Sequence, residues 1–294
     1  MPHAKAITER ESVRIPLAVL IIITAGCLIA PPARPGELCP LNRSENPHDL
    51  SLGLDYFKGY LSDAGAIVAS PLSWRGEEWL KFSAVVAVTF VISSEEDDVQ
   101  SWVQKSRNDD TDMVAQYTGP AGSGKYVLPA LVGLYGYGRI AGRDRAERTA
   151  LLGMESVILS GFFTNAVKYL THKHRPGHAY GNDVSWNGPG LSHADLSFPS
   201  GHSTCSFAVA TVVALEYGDN SLVPPLAYCA ATLAALSRVN DNAHWMSDII
   251  LGSAIGHFTA RAIVSRHGGG PASRVSLVPA ARSGGMSLAL CLEF

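Results

Sequence analysis

The 294-residue sequence has no surplus of charge of either sign: 23 Lys and Arg face 26 Asp and Glu, a formal net charge of -3. Nucleic-acid binding needs a basic field to neutralise phosphates, so no nucleic-acid partner is expected. Charge of any kind is scarce, at 17% against the roughly 25% of an average soluble domain. Together with 47% hydrophobic residues, this excludes a disordered or collagen-like chain and leaves a large core or a membrane to explain the apolar excess. Paired cysteines are missing too. Cys27, Cys39, Cys205, Cys229 and Cys291 are scattered without a Cys-x-x-Cys pair, so zinc and redox motifs are absent. Cys205 and Cys229 fall in apolar helical stretches and read as buried thiols. A Cys39–Cys291 bridge is compatible with export, but spacing does not fix it.

Past the N-terminus, the sequence also lacks the long uninterrupted apolar runs of lipid-facing spans. The one charge-free stretch near the start, Ile15 to Ala30, follows Lys5, Arg10 and Arg14 and is a little short for a bilayer. Residues 1–33 therefore read as an export signal or short membrane anchor, with an integral membrane protein as the alternative. Thr24-Ala25-Gly26-Cys27 resembles a lipoprotein cleavage box, with Thr where Leu is usual. Residues 34–55, rich in Pro, Asn and Ser, form a linker. Helices are expected at 56–69, 76–92, 95–107, 127–141, 146–172, 202–217, 223–236 and 244–265, in one helical domain over 56–267. Polar residues such as Glu155, Asn165 and Lys168, or Asp248, His257 and Arg261, interrupt these helices. That pattern suits the amphipathic members of a bundle and an all-α class. In the tail, 268–294, apolar Met286, Leu288, Leu290, Leu292 and Phe294 alternate with other residues after Ser283-Gly284-Gly285. This period of two predicts a β-hairpin, expected to lie on the helical domain.

Three stretches concentrate chemistry-bearing residues. In the first, Lys168 and Arg175 stand seven apart before Pro176, close to two helical turns, so both can point one way until the proline ends the helix. A point charge and a planar fork both suit phosphate-like oxygens. In the second, Pro199-Ser200-Gly201-His202 precedes an apolar run. Ser200 can cap a helix whose free N–H groups face an anion, Gly201 lets the backbone come close, and His202 stands at the mouth. In the third, His244 and Asp248 are four apart, on one face of a helix, where the carboxylate can fix the imidazole tautomer. Asn240-Asp241-Asn242 breaks the helix so that a loop can return Arg238 to the pocket.

Taken together, Lys-x6-Arg-Pro, Pro-Ser-Gly-His and Ser-Arg-x5-His-x3-Asp resemble, position for position, the signature of the type 2 phosphatidic acid phosphatase superfamily. That superfamily includes class A acid phosphatases, lipid phosphate phosphatases and vanadium haloperoxidases. The resemblance implies an all-α helical bundle of the acid phosphatase/haloperoxidase type and hydrolysis of phosphate monoesters, lipid phosphates among them, without metal or cofactor. It implies that Lys168, Arg175, Ser200, Gly201 and Arg238 hold the phosphoryl oxygens. His244, oriented by Asp248, would attack phosphorus, and His202 would serve as acid and then base. Two alternatives stand beside this: a vanadate-dependent haloperoxidase, and a non-catalytic envelope binding protein.

Other signals carry less. Gly119-Pro-Ala-Gly-Ser-Gly124-Lys125 imitates a phosphate-binding loop but has Tyr126 where a magnesium-binding hydroxyl belongs, and reads as a loop at the pocket rim. His172, His174, His178 and His193 lack a carboxylate at ligand spacing and read as loop residues at the substrate entrance. Gly252-x-x-x-Gly256 suits close helix packing. Glu95 to Asp98 read as a solvated helix start.

Overall fold

A computed structural model describes residues 54–178, 186–192 and 196–268, and the backbone of 275–282 and 285–292. The expected signal or anchor, most of the linker, Cys27, Cys39 and His193 lie outside these residues. The helices are α1 (Leu54–Ala69), α2 (Gly76–Ser93), α3 (Glu96–Ser106), α4 (Asp109–Thr118), α5 (Gly124–Ala141), α6 (Asp144–Thr171), α7 (Gly201–Glu216), α8 (Val223–Asn240) and α9 (Met246–Arg266). The described body is therefore all-α. Helix α4 was not expected, because its acidic first turn resembles a polar loop. Asp109, Asp110 and Asp112 instead sit where the helix dipole favours anions, and Asn108 caps the helix reciprocally with Thr111.

Helix α7 is the centre of the bundle because it is apolar on two sides. Cys205, Ala208 and Val212 face one core with Leu131 of α5, Leu152 of α6 and Ile263 of α9. Phe207, Ala210 and Ala214 face a second core with Tyr228 and Ala235 of α8 and Ile249 of α9. Each trio repeats at i, i+3, i+7, the spacing that lines one helix face. Buried polar groups bind the same neighbours: Thr204 meets Thr164 of α6 at 2.9 Å, and His257 Nδ1 of α9 lies 3.0 Å from both Thr211 and Tyr228 of α8. A buried polar group unpaired in this core would cost about 1–3 kcal/mol.

Glycine sets how closely α9 meets α7. A Cβ at Gly252 would overlap the Ser200 carbonyl, and one at Gly256 the Thr204 carbonyl. The Gly252/Gly256 pair thus serves close packing within the bundle, and it brings the start of α9 against the start of α7. Cys205 is buried as expected, whereas Cys229 is exposed, because its side of α8 faces away from the α7 contact. Helix α2 is apolar yet mostly outward: Trp79, Leu80, Phe82, Val86, Phe90 and Val91 are all exposed. By length and composition α6 alone among the described helices could cross a membrane, and just over half of its apolar window is buried in the bundle.

Beyond α9, backbone Val275–Arg282 (β1) pairs antiparallel with Gly285–Leu292 (β2), Val275 opposite Leu292. The all-α assignment rests on the helical body and not on this tail, whose expected packing against the helices is unsupported.

Candidate active site

The site is assembled where three helix ends meet. Helix α6 stops at Thr171 because His172 takes a left-handed conformation, with φ 41°. Arg175 therefore lies beyond the helix, not two turns along it from Lys168, and Pro176 follows the end instead of causing it. The short segment after His172 is held in place on both sides: Ser197 N–H donates to Lys173 O at 3.0 Å, and Trp245 Nε1–H to His174 O at 2.7 Å. Arg175 Nη1 donates to Ala243 O at 3.4 Å.

A cis Phe198–Pro199 bond leads into Ser200, which is the N-cap of the 16-residue α7 as expected, its Oγ accepting from Ser203 N–H at 3.5 Å. The free N–H groups of this helix start make a natural anion site. A Cβ at Gly201 would meet no protein atom within 4 Å, so the backbone there faces open space. His202 follows in the first turn. The Gly119–Gly122 turn lies against it, since a Cβ at Gly122 would press on the His202 carbonyl, so this segment does reach the rim of the site.

The third stretch is arranged differently from the expected helix. Helix α8 continues to Asn240, so Arg238 sits in its last turn, and the following turn returns His244 instead of Arg238. Ala243 N–H and His244 N–H both donate to Arg238 O, at 2.9 and 3.2 Å, and Asn242 has φ 55°. His244 precedes α9; it does not share a helical face with Asp248. Asp248 is residue N3 of α9, and its Oδ2 accepts the Trp245 N–H at 3.0 Å as a cap. The same oxygen lies 3.3 Å from His244 Nδ1 and accepts the Ser197 hydroxyl at 2.5 Å. A carboxylate with so many donors stays ionised and holds the Nδ1–H tautomer, leaving Nε2 with its lone pair.

The cations converge on the two histidines. Lys168 and Arg175 act electrostatically on His244, and they act with Arg238 on His202, which also feels His244. Burial, with Lys168 and Arg175 adding to it, outweighs Asp248 and lowers the His244 pKa to about 4, so this imidazole is neutral near pH 7. Burial lowers the Arg175 guanidinium from its usual range as well. Lys168 Nζ spends two donors on the Leu196 and Ser197 carbonyls, at 2.6 and 3.1 Å, and keeps a third. Arg238 Nη1 pairs with Asp241 at 2.7 Å, while its Nε is buried with no partner among the described residues. An orphaned buried donor beside other cations fits an oxyanion. Such a site can bind a tetrahedral oxyanion and present an imidazole nitrogen to its centre.

Sequence reasoning missed the groups behind the histidine. Glu96 is fully buried and paired with Lys173 at 2.6 Å, although its neighbours Glu95, Asp97 and Asp98 are exposed as expected. Ser197 has no motif position. Gln100 and Gln104 of α3 donate to Val239 O, at 3.2 and 3.0 Å, satisfying a carbonyl at the end of α8 and steadying the turn that carries His244. A lone acid in an acidic run, or a lysine between two histidines, shows no periodicity that could have flagged it. Of the histidine quartet, His172 ends α6 and His174 Nε2 meets Asn187 Nδ2 at 2.7 Å.

The profile of the PAP2 superfamily matches residues 150–269, the span that holds all three stretches. The decaprenylphosphoryl-5-phosphoribose phosphatase of Mycobacterium tuberculosis is 31% identical over 172 residues, covering 57% of this chain and 88% of that protein. The chain belongs to the PAP2 superfamily. A lipid A 1-phosphatase of Porphyromonas gingivalis is 34% identical over 134 residues, 44% of this chain, but the match spans only 26% of that protein's length. Among solved structures, Aquifex aeolicus LpxE is similar at 20% identity over 58% of this chain and 94% of its own, with a TM-score of 0.46. A Bacillus subtilis transmembrane PAP2 type phosphatidylglycerolphosphate phosphatase is similar at 18% identity, over 72% and 94%, with a TM-score of 0.43.

Proposed function

We propose that the protein is a metal-independent phosphatase that hydrolyses phosphate monoesters of lipids at a membrane. The observation that carries this reading is the neutral, carboxylate-oriented His244 beside the start of α7 and the cations Lys168, Arg175 and Arg238. In the first step the His244 Nε2 lone pair attacks phosphorus, the ester P–O bond breaks, and His202 gives a proton to the departing alcohol. His202 takes up that proton when the negative charge of the bound phosphate offsets the burial and cations holding its pKa down to about 4 in the free site. In the second, His202 takes a proton from water, whose oxygen attacks the phosphohistidine; the P–N bond breaks and phosphate leaves. Lys168, Arg175, Arg238, Ser200 and the Gly201 N–H hold the three equatorial oxygens in both steps.

Two observations support a lipid substrate. The exposed Trp79, Leu80, Phe82 and Phe90 of α2 form a surface suited to hydrocarbon, which favours a membrane-embedded helical body over a soluble exported domain held by its N-terminus alone. An apolar cavity of about 290 Å³ between α5, α6 and α7, lined by Ala121, Leu131, Leu134 and Val212, begins one residue from the Gly122 that touches His202. Both curated relatives are phosphatases by name, and both names include a lipid.

The test is phosphate release from a panel of soluble esters and lipid phosphates by wild type and His244→Ala. Wild type is expected to prefer lipid phosphates, and the variant to lose roughly 10³-fold or more. Undiminished activity in a folded His244→Ala protein would overturn the nucleophile assignment. Halide oxidation dependent on added vanadate, without phosphate release, would replace the phosphatase by a haloperoxidase.

A further inference from the structure

Behind Asp248 lies a buried charge that the signature does not include. Lys173 has no exposed surface, although lysine is among the residues least often buried. Its ammonium spends all three donors: on Glu96 Oε1 at 2.6 Å, Ser247 Oγ at 2.9 Å and Asp248 Oδ1 at 2.9 Å. Glu96 also meets the Ser247 hydroxyl, which closes the cluster. Trp186, Phe198 and Trp245 wall it in, their ring centres 5.0, 5.3 and 5.7 Å from Nζ. Ion pairs in such surroundings add little net stability over an apolar replacement. Stability therefore does not explain this lysine, whereas its contact with the carboxylate that orients His244 does.

We propose that Lys173 is a positioning residue for the reaction: with Glu96 as its counter-ion, it holds Asp248 ionised and fixed from behind, and so sets the basicity and direction of His244. One oxygen of Asp248 is committed to Lys173, which leaves the other for His244, Ser197 and the Trp245 N–H. The carboxylate cannot rotate without breaking a buried ion pair. Lys173 touches no substrate in this arrangement; it acts through Asp248. The inference rests on the phosphatase reading for its purpose, but its physical content concerns His244 alone.

The charged and titratable groups facing His244 are Asp248 of α9, Lys168 of α6, Arg175 of the following segment and His202 of α7. None of them is altered by two variants of the full chain, Glu96→Gln and the double variant E96Q/K173M. Lys173→Met alone leaves Glu96 buried without its cation and is expected to fold poorly; the double variant removes both charges and avoids this. The readout is NMR titration of the His244 ring in ¹³C-labelled protein. Glu96→Gln, which leaves the Lys173 charge undivided beside Asp248, should move the His244 titration down by about half a unit. The double variant should move it up by about one unit, a tenfold change in the protonation ratio, with kcat lowered about tenfold and KM nearly unchanged. Titrations of both folded variants within about 0.2 unit of wild type, on the scale of a one-unit effect, would overturn the proposal and leave Lys173 as packing. Phosphate release by wild type is scored separately. Its failure on every ester would defeat the phosphatase reading, while the titration would still decide the role of Lys173.

Discussion

Helix α9 carries a histidine and carboxylate contact at each end, and the two ends make an instructive pair. At its start, His244 lies 3.3 Å from Asp248, and Lys168 and Arg175 are close enough for their charges to act on it. Just past its end, His267 lies 3.1 Å from Asp63 and 3.2 Å from Glu155, with Tyr56 O–H donating to Glu155 at 3.1 Å and Arg266 bound to Asp63 at 2.6 Å. The contact geometry is nearly the same. The electrostatic result is opposite, because burial with neighbouring cations lowers the His244 pKa to about 4, whereas the hydrogen bond to Glu155, joined by the Asp63 charge, raises that of His267. One histidine is held neutral by its surroundings; the other is pushed toward the charged form within a strut joining α1, α6 and α9. A histidine beside a carboxylate is therefore not a site in itself. The surplus of positive charge and the free helix start make one.

The sharpest way to break this comparison is to remove an arginine at each end. Arg238→Ala is expected to lower kcat about 10²–10³-fold with little loss of stability; Arg266→Ala should leave kcat within about twofold and cost about 1 kcal/mol of stability. Steady-state kinetics and thermal unfolding of both variants decide it, and equal kinetic losses would dissolve the distinction. A smaller effect is expected from Gly256→Ala, between the two ends, where the new methyl group overlaps the Thr204 carbonyl. It should destabilise the fold by about 1–3 kcal/mol, measured by denaturant unfolding, and lower activity by shifting the start of α9. The smallest effect is pH-dependent. His267 contributes stability that is complete below its unfolded pKa near 6.5 and is lost as pH rises through its raised folded pKa. His267→Asn should thus lower the unfolding midpoint by about 2–4 °C at pH 5.5 and by less at pH 9. The His244 contribution has the reverse sign, since it is complete above 6.5 and falls as pH drops toward 4.

The sequence disclosed the all-α body and the three stretches because both depend on local pattern. Apolar spacing located α7 almost to the residue, 202–217 against Gly201–Glu216, and Pro199 to His202 signalled a cap. It was less informative about how helix ends turn. The left-handed His172 and the extension of α8 to Asn240 depend on what the chain meets next: Trp245 and Ser197 on one side, Gln100 and Gln104 on the other. These are contacts between residues far apart in the chain, as is the pairing of Glu96 with Lys173. Acidic residues at a helix start look solvated in any local reading, and only the fold separates Glu96 from Asp97.

Asp248 closes the first turn of α9 through the Trp245 N–H and orients His244 with the same oxygen. The segment from 244 to 248 consequently acts as a ruler. Inserting or deleting one residue there would turn everything beyond it by about 100° about the helix axis, separating cap from histidine in a single step. The number of residues between His244 and Asp248 is thus as constrained as the identities of Trp245 and Ser247, which bind His174 and Lys173, so the distance along the chain is itself part of the site.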